Sequence, residues 1–300
     1  MMNLTGIYPP IPTPFNDDES VAYDQFAANL EQWLSWPLTG VVMPGSNSEA
    51  AHLTRDERLA LWRICGQTAA ATGKQFIAGT GADTTAETIA LTEAAAKAGA
   101  VATLLLPPYF YKGAMSHEVL LAHYRAVADA SPIPILVYNV PAFTGVDFAV
   151  PTLLALAEHP RIVGMKDSSA NVVKVATVLA ARPDFQVLSG SASALLAFLS
   201  LGAVGGIMAL ANIAAEPLHQ LMMAWENGRF TQARQIQLSL VNLNSAITAR
   251  YGVPGLKYAL DRIGLYGGPA RRPLLPLKAE AQAEIDQLLE SVTSNQFSVS

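Results

Sequence analysis

Short, nearly continuous apolar runs recur along the first two thirds of the chain, separated by longer segments of helical character. The runs fall at 6–12, 40–44, 75–79, 101–106, 133–138, 162–165, 185–188 and 204–209. Each is a few residues long with little polar alternation, the pattern of parallel strands buried on both faces. Helices are predicted between them around 21–35, 116–130, 149–158, 171–181 and 192–200, and two more open on capping boxes. In those two, Thr54 with Glu57 and Thr84 with Glu87 are spaced for reciprocal bonds to the free amides of a first turn. Leu59, Leu61, Trp62 and Ile64 give the first a broad apolar stripe. Ala90, Ala94 and Ala98 give the second a small-residue stripe suited to close packing on a sheet.

Eight β–α units in strict alternation predict an α/β fold, a (β/α)8 TIM barrel over residues 1–215, with an open doubly wound sheet as the lesser option. Beyond the eighth run the pattern turns purely helical, at 216–226, 229–249, 254–263 and 279–292. Residues 216–300 therefore read as a C-terminal helical extension packed on the barrel within a single structural unit, its polar end at 291–300 expected to fray.

A composition of 51% hydrophobic and 14% charged residues supports a large core and argues against disorder. The net charge of −5, with no basic run longer than Arg271-Arg272, argues against nucleic-acid or anionic-membrane partners. A lone Cys65 excludes an intrachain disulfide. With no basic segment leading into an apolar core near the start, a cytoplasmic location is expected. Residues 186–215 carry no charge and are long enough to span a bilayer of about 30 Å. Ser189-Gly190-Ser191, Gly202, Gly205-Gly206 and Asn212 interrupt them, so a buried strand, helix and strand are expected and no membrane span.

In such a barrel the chemistry sits at the C-terminal ends of the strands. The polar groups there are Thr13, Gly45-Ser46-Asn47-Ser48-Glu49, Thr80, Tyr109 to Tyr111, Tyr138-Asn139, Lys166-Asp167-Ser168 and Ser189-Gly190-Ser191. Of seven lysines, only Lys166 directly follows an apolar strand, where burial is expected. An ordinary lysine is neutral in roughly one molecule in two thousand at pH 7, and desolvation raises that nucleophilic fraction. Position alone leaves two readings level: a nucleophilic amine, and a salt bridge to Asp167 or another carboxylate. Tyr138 ends the neighbouring strand, from which a phenol could reach Lys166 and shuttle protons; a core tyrosine bonded to backbone is the commoner fate of such a residue. Gly45-Ser46-Asn47 offers hydroxyl, amide and N–H donors that suit a carboxylate, although ordinary turns use the same residues.

Other chemistries find less support. Gly79-Thr80-Gly81 lacks the third glycine of a dinucleotide loop, and His52, His117, His123, His159 and His219 have no metal-ligand spacing. No nucleophile elbow or phosphate loop occurs, so neither a metal nor a cofactor is expected.

Taken in order, Gly45-Ser46-Asn47-Ser48-Glu49, Tyr138-Asn139-Val140-Pro141-Ala142-Phe143-Thr144-Gly145 and Gly164-Met165-Lys166-Asp167-Ser168 resemble the dihydrodipicolinate synthase/N-acetylneuraminate lyase superfamily of class I aldolases and lyases. The resemblance runs from Gly6-Ile7-Tyr8-Pro9-Pro10 to the helical tail. Within that superfamily the chain looks most like the 4-hydroxy-2-oxoglutarate aldolases, on Gly45-Ser46-Asn47, the segment from Val163 to Ser168, Gly202-Ala203-Val204-Gly205-Gly206, Ala209-Leu210-Ala211-Asn212, Gly252 to Lys257 and Gly267-Gly268-Pro269. The resemblance implies a lyase acting on small-molecule 2-oxo acid and aldehyde substrates, without a cofactor. Lys166 would form the imine and Tyr138 would transfer protons. Ser46 and Asn47 would hold the 2-oxo acid carboxylate, with Ser168, Gly190 and Ile207 lining the pocket, in a homotetramer.

Three departures stand out. Phe143 takes the place of an arginine usual in the synthases. Phe110 takes the place of a tyrosine that reaches across a dimer interface in many members, while Tyr109 and Tyr111 point elsewhere on a regular backbone. Ser48 replaces the usual glycine before Glu49. The synthase itself, a sugar-acid aldolase or a deoxy-sugar-acid dehydratase keep the same chemistry. A non-catalytic small-molecule sensor on the same barrel is the rival of another class, and the presence of both Lys166 and Tyr138 speaks against it.

Overall fold

Eight parallel strands form a ring in the computed structural model, which describes residues 2–294. They are β1 (Gly6–Tyr8), β2 (Gly40–Met43), β3 (Gln75–Gly79), β4 (Ala102–Leu105), β5 (Ile135–Asn139), β6 (Ile162–Asp167), β7 (Gln186–Ser189) and β8 (Gly205–Ile207). Their order is β1-β8-β7-β6-β5-β4-β3-β2, every paired neighbour parallel. Between β1 and β2 the ring closes through three bonds: Thr39 N to Ile7 O (3.0 Å), Val42 N to Pro9 O (2.9 Å) and Ile11 N to Val42 O (3.0 Å). Pro9 and Pro10 have no N–H to donate, which is why β1 is short although the apolar run continues to 12. The sheet is thus a barrel and not an open doubly wound sheet.

Helices cover the ring: α1 (Tyr23–Ser35), α2 (Arg55–Thr72), α3 (Thr85–Lys97), α4 (His117–Ala130), the single turn α5 (Pro141–Thr144), α6 (Val150–Leu156), α7 (Val172–Ala181) and α8 (Leu195–Ser200). After β8 come α9 (Ala215–Glu226), α10 (Phe230–Ser245), α11 (Gly252–Arg262) and α12 (Ala279–Ser294). A π-turn at Ala246–Arg250 interrupts the helix expected over 229–249. Of the end expected to fray, 291–294 are helical and the remainder lies outside the described residues.

Two local expectations need correction. The Thr54–Glu57 box forms in both directions, at 2.8 and 3.3 Å. Thr84 caps Glu87 N at 3.2 Å without a return bond, because the Glu87 carboxylate turns to Arg55 at 3.2 Å. On α3 the buried face is Thr88, Leu91, Thr92 and Ala95, so Ala90, Ala94 and Ala98 flank it and do not form it.

Packing divides into an inner and an outer layer. Val42, Ile77, Leu104, Leu136, Tyr138, Leu188 and Ile207 fill the barrel interior, while larger clusters join strands to helices. Each such fully buried aliphatic side chain contributes roughly 1.5–3 kcal/mol relative to exposure. No helix among the described residues is long and apolar enough to cross a membrane.

Candidate active site

β5 and β6 run in register with Tyr138 opposite Lys166 and Asn139 opposite Asp167. Side chains alternate along a strand, so one pair faces the barrel interior and the other faces the helices. Tyr138 belongs to the inner cluster, and Lys166 lies beside it with 2% of its surface exposed. The strand extends two residues beyond the expected run, so Lys166 is a residue of β6 and not the first after it. This sharpens its placement, since the ladder itself aims the side chain.

The salt bridge to Asp167 does not form. The Asp167 carboxylate accepts from Asn139 Nδ2 at 2.6 Å and from Ser169 Oγ at 2.8 and 2.9 Å. Asn139 Nδ2 also reaches Asp147 Oδ1 at 3.0 Å, and Asp147 pairs with Lys174. Burial drives the Asp167 carboxyl upward, the bonds from Asn139 and Ser169 and the charge of Lys174 oppose it, and it ends above the usual carboxylate range. Among the described residues Lys166 has no ion pair. Its ammonium position is 4.2 Å from the centroid of the Tyr138 ring.

The Tyr138 phenol is bonded through side chains, in contrast to the backbone-satisfied tyrosine that is the commoner case. Its oxygen lies 3.3 Å from Ser46 Oγ. Burial pushes the phenol up, yet the charge of Lys166 and bonds with Ser46, Lys166 and Ser168 outweigh it and hold the group below its ordinary value. Such a phenol gives up its proton more readily than a free tyrosine.

Two glycine and serine choices shape the surroundings. A Cβ at Gly190 would fall 2.0 Å from Ser168 Oγ, so only glycine leaves room for that hydroxyl beside β6. The backbone there is fixed by Gly190 N donating to Asp167 O at 2.7 Å and Ser168 N donating to Asn139 O at 2.8 Å. Ser48 does not disturb the turn after β2. The left-handed residue is Glu49 (φ 57°), and Ser48 Oγ accepts from Gly45 N at 2.8 Å while donating to Ile11 O at 2.5 Å. Thr13 Oγ1 then donates to Ser48 O at 2.7 Å.

Lys166, Tyr138, Ser46, Ser168 and Gly190 therefore come together at one end of the barrel. Asn47 shares the Ser46 turn, half-buried, and its side chain makes no hydrogen bond among the described residues. Ile207 closes β8, fully buried in the inner cluster. Phe110 and Phe143 lie in the loops after β4 and β5 and are 73% and 72% exposed, so neither is a core residue. Two features escaped sequence reasoning. Ser46 is the hydroxyl partner of Tyr138, beyond any part in holding a carboxylate. Lys112 lies against the β5 loop, where a Cβ at Gly145 would sit 2.8 Å from Lys112 Cδ and 3.5 Å from its Nζ. An amine and a phenol in contact, without a carboxylate on the amine, can add to a ketone and expel water.

Comparison with known proteins finds relatives along nearly the whole chain. The sequence model of the dihydrodipicolinate synthetase family matches residues 3–292. A 4-hydroxy-tetrahydrodipicolinate synthase of Methanothrix thermoacetophila is 34% identical over 290 residues, 96% of this chain and 97% of its own length. A protein of Emericella nidulans named probable 4-hydroxy-2-oxoglutarate aldolase, mitochondrial, is 36% identical over 295 residues, 96% of this chain and 95% of its own. Among solved structures, the dihydrodipicolinate synthase of Acinetobacter baumannii complexed with pyruvate superposes with a TM-score of 0.92 at 31% identity, covering 97% of this chain and 99% of the other.

Proposed function

Since the chain belongs to the dihydrodipicolinate synthetase family, a family of lyases and aldolases, we propose that it cleaves or forms a carbon–carbon bond in a pyruvate-derived 2-oxo acid through an imine on Lys166. The lysine amine adds to the ketone carbon and the carbinolamine loses water. Tyr138, through Ser46, carries the proton that the departing hydroxyl needs. The protonated imine then accepts the electron pair of the breaking C3–C4 bond, while the C4 hydroxyl gives its proton to the Tyr138 phenolate and becomes the aldehyde carbonyl, so no metal or organic cofactor is called for. Asn47 and the turn amides hold the carboxylate, and Ser168, Gly190 and Ile207 line the pocket. The observation that carries this reading is the carboxylate-free contact of Lys166 with Tyr138 at 4.2 Å.

For the substrate we propose a 4-hydroxy-2-oxo acid, 4-hydroxy-2-oxoglutarate first, whose aldehyde half is glyoxylate. The support is the Emericella nidulans relative and Phe143, which presents no charge where synthases usually carry an arginine. Lys112, whose side chain lies against the same loop, is the cation we assign to the glyoxylate carboxylate. The synthase-named relatives favour a second reading, condensation of pyruvate with aspartate semialdehyde. Homotetrameric assembly and a cytoplasmic setting remain part of the proposal. A panel of aldehydes assayed with pyruvate separates the readings: preference for glyoxylate supports the aldolase, efficient use of aspartate semialdehyde establishes the synthase, and preference for a neutral sugar aldehyde establishes a sugar-acid aldolase.

A further inference from the structure

Glu49 directly follows the turn that carries Ser46 and Asn47, and its backbone is left-handed at φ 57° and ψ 42°. A residue that carries a Cβ is disfavoured in that conformation, so something must impose it. Its side chain is buried with 1% exposure, as is its partner Lys257, whose Nζ lies 2.8 Å from Glu49 Oε1. Arg271 N donates to the other oxygen at 2.9 Å, and His52 Nδ1 stands 3.3 Å from it. Lys257 also donates to Pro269 O at 2.7 Å and lies 4.5 Å over the Phe15 ring, which the Arg271 guanidinium also meets at 4.2 Å. Arg271 in turn grips Glu57 of α2 with two bonds, at 2.7 and 3.0 Å. Lys257 sits on α11 and Arg271 between α11 and α12. The helices after the barrel thus reach back to the turn after β2.

A buried ion pair is a weak source of stability, since apolar residues of similar size often do as well; what it can supply is a fixed geometry. We propose that Glu49, held by Lys257 and the Arg271 amide, is a positioning residue for the reaction: it locks the 46–49 backbone so that the Ser46 hydroxyl stays on the Tyr138 phenol. The inference rests on the proposed Lys166 imine chemistry.

The test replaces the pair by apolar residues, Glu49→Leu with Lys257→Met, and follows exchange of pyruvate methyl protons with deuterium, a reaction that needs the imine and proton transfer but no aldehyde. Wild-type protein must first form a borohydride-trapped adduct with pyruvate on Lys166; if it does not, the parent proposal fails and not this one. The double variant should still trap pyruvate, with exchange slowed by on the order of 10²-fold, as expected for a displacement of about 1 Å at a reacting group. The basic limb of its pH–rate profile, assigned by its absence in Tyr138→Phe, should move to higher pH as the phenol loses the Ser46 bond. Ser46→Ala, costly in the wild-type background, should have little further effect in this one. Tyr258→Phe, which removes an α11–α12 bond to Asp286, should leave the profile in place. Unchanged exchange in the double variant, or a Ser46→Ala effect of full size in it, overturns the inference. If the double variant does not fold, Glu49→Gln keeps the shape and should show the same shift in smaller measure, and no shift there overturns it equally.

Discussion

Lys166 and Tyr138 occupy directly opposed positions on adjacent strands, with the lysine nitrogen 4.2 Å from the phenol ring centroid. Neither position can slip alone, because the pairs on either side of them, Met165 with Val137 and Asp167 with Asn139, are fixed by the same ladder. The ammonium is thereby kept against an aromatic face and a phenolic oxygen while the carboxylate of the next residue, Asp167, is turned to the opposite side of the strand.

Removal of the phenol is expected to separate binding from turnover. Tyr138→Phe keeps the ring that fills the inner cluster and should slow pyruvate proton exchange by roughly 10²–10⁴, the range for losing a positioned acid–base group. Affinity for pyruvate should change far less. Steady-state and single-turnover rates on the variant decide the matter, and an unchanged rate returns Tyr138 to a packing role.

Phe143 and Lys112 are expected to govern the aldehyde. Phe143 is 72% exposed, so Phe143→Arg should fold normally and raise condensation with aspartate semialdehyde. A bidentate guanidinium contact is worth a few kcal/mol, or about two decades in specificity. Lys112→Met should raise KM for 4-hydroxy-2-oxoglutarate with little effect on pyruvate proton exchange. Equal KM values in Lys112→Met and wild type would remove Lys112 from the account.

Acid stability should depend on His123. This residue is 6% exposed, its Nδ1 lies 2.9 Å from Thr85 Oγ1, and its Nε2 has no hydrogen-bond partner among the described residues. Burial holds its pKa down to about 4, below the ordinary 6.5. The unfolded chain therefore binds the extra proton first, and stability falls as pH drops from about 6.5 through about 4. Across that window the loss is about 3 kcal/mol. Urea unfolding of His123→Phe and wild type at several pH values should show wild type losing stability relative to the variant on acidification. A constant difference between pH 7 and pH 5 would contradict it.

Much of the fold was legible because parallel strands buried on both faces leave runs such as 75–79 without polar alternation. Misreadings arose where side chains satisfy the backbone locally. Thr88 and Thr92 occupy the buried face of α3 because their hydroxyls bond the carbonyls one turn back, at 2.8 Å each. A polarity-based reading passes over them in favour of the alanines. At the site, Lys166 stood out as the lysine ending an apolar run. Lys257 did not, because it sits mid-helix and acquires its meaning only from Glu49, far away in the chain and brought close by the fold. Ser46 could be placed in a turn from sequence, but its contact with Tyr138 depends on how the ends of β2 and β5 converge across the barrel.

The central claim is that Lys166 is the imine-forming nucleophile, and mass spectrometry after reductive trapping tests it most directly. Incubation with pyruvate and borohydride should leave a stable adduct on the peptide containing Lys166, since reduction turns the imine into a secondary amine. Lys166→Arg, whose guanidinium stays protonated and cannot add to a ketone, should carry none. An adduct on Lys257 or Lys112 with Lys166 unmodified, or full labelling of Lys166→Arg, would contradict the account.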